Sequence, residues 1–227
     1  EYSYRSLVDL ASLDETARHR SLESLRRTVR KVKEIAPLFP TTPKLVVHPG
    51  GYSLTPHARP RDLVALLADS LAQVDCSGVE LLLENLPPRP WFFGGEWVAN
   101  IFLAAAEIRD FLEAHHLAMC LDTSHGQLAC NAARTSLAEF CRTLRPFVRH
   151  LHCSDAEGIG EEGLQIGDGE IDWPAVAETF RDYTGTITPE IWQGHLEEGK
   201  GFLTALERLT PYFAHMPVRT ASTTRTS

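Results

Sequence analysis

The 227-residue chain is most informative at first through what it does not contain. No apolar run approaches the roughly 18 residues that a membrane-crossing helix needs. No cleavable leader is visible at the N-terminus, although the chain begins at Glu1 rather than Met. The five cysteines, Cys76, Cys120, Cys130, Cys141 and Cys153, are odd in number and lack both framework and metal-ligand spacing. That pattern predicts a reduced, cytoplasmic protein, and Cys120 and Cys153 read as small core residues. No strand–GxGxxG–helix unit occurs, which excludes a dinucleotide fingerprint. Positive charge is also short: the formal net charge is −8, which argues against nucleic acid as the main partner.

What is present is a chain of ordinary globular composition, 43% hydrophobic and 23% charged, long enough for one domain with a sizeable core. Short apolar runs alternate with helical patterns. The runs are Lys44–His48, Val79–Glu84, Ala118–Asp122, Val148–His152 and Thr186–Ile191. They read as strands buried on both faces, with VRHLH the least apolar.

Helical stripes are expected at Leu63 to Val74, at Val98 to Leu112, at Leu137 to Leu144 and from Gly201 to Phe213. In the last, Phe202, Ala205, Leu206 and Leu209 are expected inward. Asp172 is placed to cap a helix with Pro174 in its first turn. An N-terminal helix is expected with Ser12 and Glu15 as capping box and Leu22, Leu25, Val29, Val32 and Ala36 as its buried stripe. Its basic residues, Arg18 to Lys33, read as a solvated face. The polar tail from Pro217 has the composition of a disordered segment, leaving residues 1–215 as a single domain.

Strand–helix alternation predicts a parallel sheet and a (β/α)8 TIM-barrel type of fold. Five strands are too few to close a barrel that needs eight, so the reading is a partial barrel, or an open sheet.

Each apolar run ends in an acid or an imidazole. They are His48, Glu84, Asp122 followed by His125, then His150, His152 and Asp155, and finally Glu190. In a parallel α/β architecture these strand ends share one rim, so residues distant in sequence converge. Two Glu, one Asp and one His form a mixed oxygen and nitrogen set suited to Mn²⁺, Mg²⁺, Co²⁺ or Zn²⁺. Without a cation, three such carboxylates would repel one another. His150 and His152 are expected on opposite faces of their strand, one facing the mouth and the other packed behind the sheet. The loop holding Arg89, Trp91, Phe92 and Phe93 reads either as an aromatic lid or as simple packing.

The ordered tags HPGG, ENLP, LDTSHG, HLHCSD, LQIGDGEIDW and PEIW resemble the xylose isomerase-like TIM-barrel superfamily. Its sugar and sugar phosphate isomerases and epimerases are the most similar members, and the AP endonuclease family 2 is a cousin. The resemblance runs from about Asp9 to Phe213. It implies that HPGG follows strand four and that about the first three strands are absent. It also implies one divalent metal held by Glu84, Asp122, His152 and Glu190, with Glu84 and Glu190 as the acid/base pair.

His48, His125, Asp155 and Trp91 are then the expected substrate contacts, and a small-molecule sugar the expected partner of a possible homo-oligomer. The nuclease cousins carry an Asp-x-His pair where this chain reads Glu161, Glu162 and Gly163. That departure favours one metal and a sugar isomerase or epimerase. An AP endonuclease-type phosphodiesterase and an inactive truncated barrel are the alternatives.

Overall fold

The computed structural model describes residues 7–213. The expected tail from Pro217 lies outside these residues. Five strands form one wholly parallel sheet: β1 (Lys44–Val47), β2 (Glu80–Glu84), β3 (Ala118–Asp122), β4 (Val148–Cys153) and β5 (Thr186–Pro189). Each pairs with its neighbour in chain order, for example Leu82 with Ala118 and Asp122 with His152. β2 and β3 are buried along nearly their whole length, as their continuous apolar sequences require. β4 alternates, which is why VRHLH is the weakest strand signal in the sequence.

The sheet is curled. Lys44 on β1 donates its Nζ to the Arg149 carbonyl (2.9 Å) and to Thr186 Oγ1 (3.0 Å), reaching from the first strand to the last two. The architecture is thus a partial (β/α) barrel with every strand's C-terminal end on one rim.

Among the described residues, seven α-helices pack around the sheet: α1 (Glu15–Ile35), α2 (Pro60–Leu71), α3 (Ala105–His115), α4 (Thr123–Ala133), α5 (Leu137–Leu144), α6 (Trp173–Thr179) and α7 (Leu196–Phe213). α1 buries Leu22, Leu25 and Val29 as its stripe predicts, while Val32 and Ala36 are only half-buried and Ala36 lies past the helix end. Its cap is Asp14, which accepts from the Thr16 and Ala17 amides, and not the expected Ser12–Glu15 box. Of the basic residues of α1, Arg20, Arg27, Arg30 and Lys31 are exposed as expected, whereas Arg18, Arg26 and Lys33 are half-buried. Arg26 and Lys33 reach back to the Gln73 carbonyl and to Asp75. α6 is capped by Asp172 as expected.

Two helix expectations need correction. The stripe from Val98 is not one helix. Val98–Ala99 pairs antiparallel with Tyr52–Ser53, and Phe102 takes a positive φ of 62°, so α3 starts only at Ala105. Ile101 and Phe102 are fully buried in irregular backbone, and periodicity cannot tell that from a helix face. Leu206 on α7 points outward, while Ala205, Leu209 and Phe213 form the inner face. α4 itself carries no clear amphipathic stripe and went unread.

Candidate metal centre and cavity

Glu84 ends β2, Asp122 ends β3, His152 lies near the end of β4, and Glu190 follows β5. Their ligand atoms lie within 4.8 Å of one another. His152 Nδ1 is 2.9 Å from Glu84 Oε1 and 2.8 Å from Glu190 Oε2, so three ligand atoms face one point. This is the set implied by the resemblance, now brought together in space. One imidazole nitrogen and three carboxylates fit a hard or borderline divalent ion.

The electrostatics support that fit. Glu84 and Asp122 are buried. Burial pushes the Asp122 carboxyl well above the usual range, and the neighbouring Glu84 and Glu190 charges push it further. Burial opposes ionisation of Glu84 too, but His48 and His152 outweigh it and hold Glu84 low. A buried excess of carboxylates with one member resisting ionisation is relieved by a cation.

Polar clamps fix the rim. Asn85, fully buried, donates from Nδ2 to the Asp122 carbonyl and accepts the Asp122 amide on Oδ1, both at 2.9 Å. It therefore locks the second ligand to the residue after the first. Thr123 Oγ1 donates to the Ser154 carbonyl (2.8 Å) and joins β3 to β4 in the same way. Asp122 also N-caps α4 by accepting the His125 amide at 2.7 Å.

His125 and His48 stand beside Glu84. His125 Nδ1 lies 2.9 Å from the Asn85 carbonyl, which can only accept, so Nδ1 carries the proton and Nε2 turns to Glu162 Oε2 at 3.5 Å. His48 Nε2 lies 3.3 Å from Glu84 Oε2, while its Nδ1 meets the Tyr52 hydroxyl at 3.2 Å. The Tyr52 amide and that of Gly51 are held by Asp9, a buried acid near the chain start.

The four ligand candidates, His48, His125, Tyr52 and Glu162 line a cavity of about 410 Å³, with Phe92, Trp192, Pro87 and Pro90 among its other walls. A cavity of that size accommodates a small molecule.

Some expected site residues stand elsewhere. Asp155 is fully buried and outside the cavity lining. Its carboxylate accepts from the Ala156, Gly167 and Ile171 amides and from Trp173 Nε1, so it organises the following loop. Trp91 is turned outward, and the adjacent Phe92 takes the lining position because neighbours on a strand face opposite sides. His150 and His152 do not face opposite sides. They are two residues apart and share a face, with ring centroids 5.0 Å apart. His150 sits toward the floor on Thr186, next to Cys120, whose thiol burial pushes up to about 12.

Glu162, Asn85, Tyr52 and Asp9 were missed. Only Asn85 lay inside a quoted tag. Glu162 sits on a hairpin formed by Asp155–Glu157 and Glu161–Leu164, within a segment whose glycines suggest only turns.

A curled parallel sheet with carboxylates and imidazoles at its C-terminal strand ends defines the class: a partial (β/α) barrel bearing a candidate metal centre. The sequence matches the xylose isomerase-like TIM barrel family over residues 2–212, and the chain belongs to that family.

An uncharacterized protein of Methanocaldococcus jannaschii, MJ1311, is 25% identical over 186 residues, 79% of this chain and 59% of its own length. The chain thus spans about three fifths of that curated relative. Among solved structures, a D-tagatose 3-epimerase-like protein superposes with a TM-score of 0.69 at 20% identity, covering 92% of this chain and 74% of that one. The IOLI protein with a bound zinc atom gives 0.71 at 14%, covering 94% and 76%. Endonuclease IV from Thermus thermophilus gives 0.57 at 20%, covering 90% and 73%. At these identities the structures establish the fold. Among the described residues no helix is long and apolar enough to cross a membrane.

Proposed function

We propose that the protein is a divalent-metal-dependent isomerase or epimerase of a small sugar. The observation that carries this reading is the convergence of Glu84, Asp122, His152 and Glu190 within 4.8 Å at the edge of a cavity of small-molecule size. Relatives of the same fold named as sugar epimerases support it.

A bound divalent ion would supply Lewis acidity, polarising a substrate carbonyl and lowering the cost of an enediolate. The chain's own residues do the rest. Glu84 is sealed from solvent, whereas the Glu190 side chain is 56% exposed. The two therefore approach the cavity from unlike environments, one fixed and one able to exchange its proton with water. One glutamate removes the proton next to the carbonyl and the other returns it. Return to the neighbouring carbon isomerises; return to the opposite face epimerises. His125 Nε2 is placed to hold a substrate hydroxyl, and Phe92 and Trp192 offer apolar surface for a sugar's CH groups. Five unpaired cysteines, four of them buried, suit a reducing, cytoplasmic setting.

A phosphodiesterase reading finds less support. Where the nuclease cousins have a histidine, Gly163 leaves its space to Trp192.

The test is a ketose panel in D₂O with the Mn²⁺-, Co²⁺- or Zn²⁺-loaded protein, read by NMR. Solvent deuterium at the carbon beside the carbonyl, abolished in Glu190→Gln, is expected. Metal uptake of about one ion per chain without any exchange across the panel would overturn the reading.

A further inference from the structure

The cavity's charge is one-sided. Its described lining carries four carboxylates, Glu84, Asp122, Glu162 and Glu190, and three imidazoles, but neither lysine nor arginine. A divalent ion offsets two of the four negative charges, and a proton shared between His48 and Glu84 offsets at most one more, so the lining stays negative. Glu162 lies outside the four-residue ligand set. Its side chain is only 21% exposed, and its carboxylate faces His125 inside the cavity. The amide of the next residue, Gly163, donates to Ser124 Oγ and fixes the hairpin against α4.

Among the described residues, the usual anion receptors are occupied or absent. The N-terminus of α4 opens beside the cavity, but the Asp122 carboxylate already caps it. Arg89, on the loop at the mouth, is paired with Glu96 at 2.6 Å. Lys44 is bound to the Arg149 carbonyl and Thr186 at the opposite end of the sheet. A phosphate monoester would bring roughly two further negative charges into this field and find no guanidinium or ammonium in the described lining to meet them.

We propose that the cavity selects by charge: it accepts an uncharged polyhydroxy ketone or aldehyde and rejects the phosphate ester of the same sugar, with Glu162 as a specificity-determining residue. This inference rests on the isomerase or epimerase reading and narrows its substrate class.

The test measures binding, not turnover. Mn²⁺-loaded protein is titrated with D-tagatose and, separately, with D-tagatose 6-phosphate, following water-proton relaxation at the bound ion. Inorganic phosphate serves as the control for direct contact with Mn²⁺. The free ketose is expected to bind at least about tenfold more tightly than its phosphate ester, with the gap narrowing as salt is raised. Glu162→Gln is expected to narrow it several-fold by improving binding of the ester, while Mn²⁺ binding is retained as proof of an intact site.

Equal or tighter binding of the ester by the wild type overturns the inference and leaves the isomerase reading standing. A gap unchanged in Glu162→Gln overturns the role of Glu162. Failure of both sugars to bind the Mn²⁺-loaded protein overturns the isomerase reading and this inference with it.

Discussion

Gly163 and Trp192 exclude one another's volume: a Cβ placed on Gly163 would lie 1.7 Å from Trp192 Cδ1. The two are also tied through their backbones, the Trp192 amide donating to the Gly163 carbonyl at 2.9 Å. Gly163 has a φ of 70°, so any side chain there is strained twice over. Gly163→Ala is expected to cost about 2–4 kcal/mol, from backbone strain and displacement of the indole together. Trp192→Ala in the same background should recover part of that loss, giving a non-additive double-mutant cycle in urea. Strict additivity would show that the indole is free to move.

Asn85 answers to a different measurement. Its side chain satisfies both backbone groups of Asp122 in a buried setting. Asn85→Ala is expected to destabilise by about 2–4 kcal/mol, because the amide and carbonyl of Asp122 lose their partners. Mn²⁺ affinity should fall about tenfold or more, as for other residues that orient a ligand. Calorimetric titration alongside urea unfolding checks both, and a variant with native affinity would sink the clamp.

The raised pKa of Asp122 fixes the sign of a pH effect. Burial first, then Glu84 and Glu190, hold its folded pKa above the ordinary 3.8. The folded state therefore binds that proton more tightly. Its contribution to stability is full below the ordinary value and is lost as pH rises through the folded pKa. A divalent ion should remove the penalty, so the metal-induced rise in Tm should be larger at pH 7.5 than at pH 5. At a hundredfold excess over Kd, binding adds about 2.7 kcal/mol. Asp122→Asn should raise the metal-free Tm at pH 7.5 by about 2–4 °C for each kcal/mol recovered. The same variant should largely lose its response to metal. A lower metal-free Tm in the variant would reverse the sign of this account.

His150 works in the opposite direction. Burial, with His152 and Lys44 nearby, lowers its pKa from 6.5 to about 4. The folded state favours the neutral ring, so stability present above about 6.5 is lost as pH falls toward 4. Replacing His150 by Asn should flatten the acid limb of the stability profile in that window, measured as the difference between wild-type and variant melting curves. Identical limbs would count against a half-buried, neutral His150.

The strand ends were legible because the chemistry is written linearly: an apolar run, then an acid or imidazole, as at VELLLE and AMCLD. Parallel strands make convergence of those ends a matter of topology, so Glu84, Asp122, Glu190 and one of His150 and His152 could be placed together without coordinates, and their mixed oxygen and nitrogen donors pointed to a divalent ion. The choice of His152, and the roles of the glutamates, came only through the resemblance.

The connections were less legible. Tyr52–Ser53 and Val98–Ala99 pair over two residues each, too short for any periodicity. α4, with the sequence TSHGQLACNAA, is buried on more than one side and shows little amphipathic contrast. Glu162 faces inward only because its hairpin alternates, and the flanking glycines hid that alternation. The misplacement of His150 had a simpler origin: residues two apart on a strand share a face.

Lys44 stretches a chord across the arc of the sheet, from β1 to β4 and β5. A chord of fixed length sets the radius of its arc. The four ligands ride on the far ends of strands in that same arc, so a single ammonium at the floor helps gauge how widely the ring above it opens. The bore of the metal site is in this sense calibrated from below, by a side chain that never enters it.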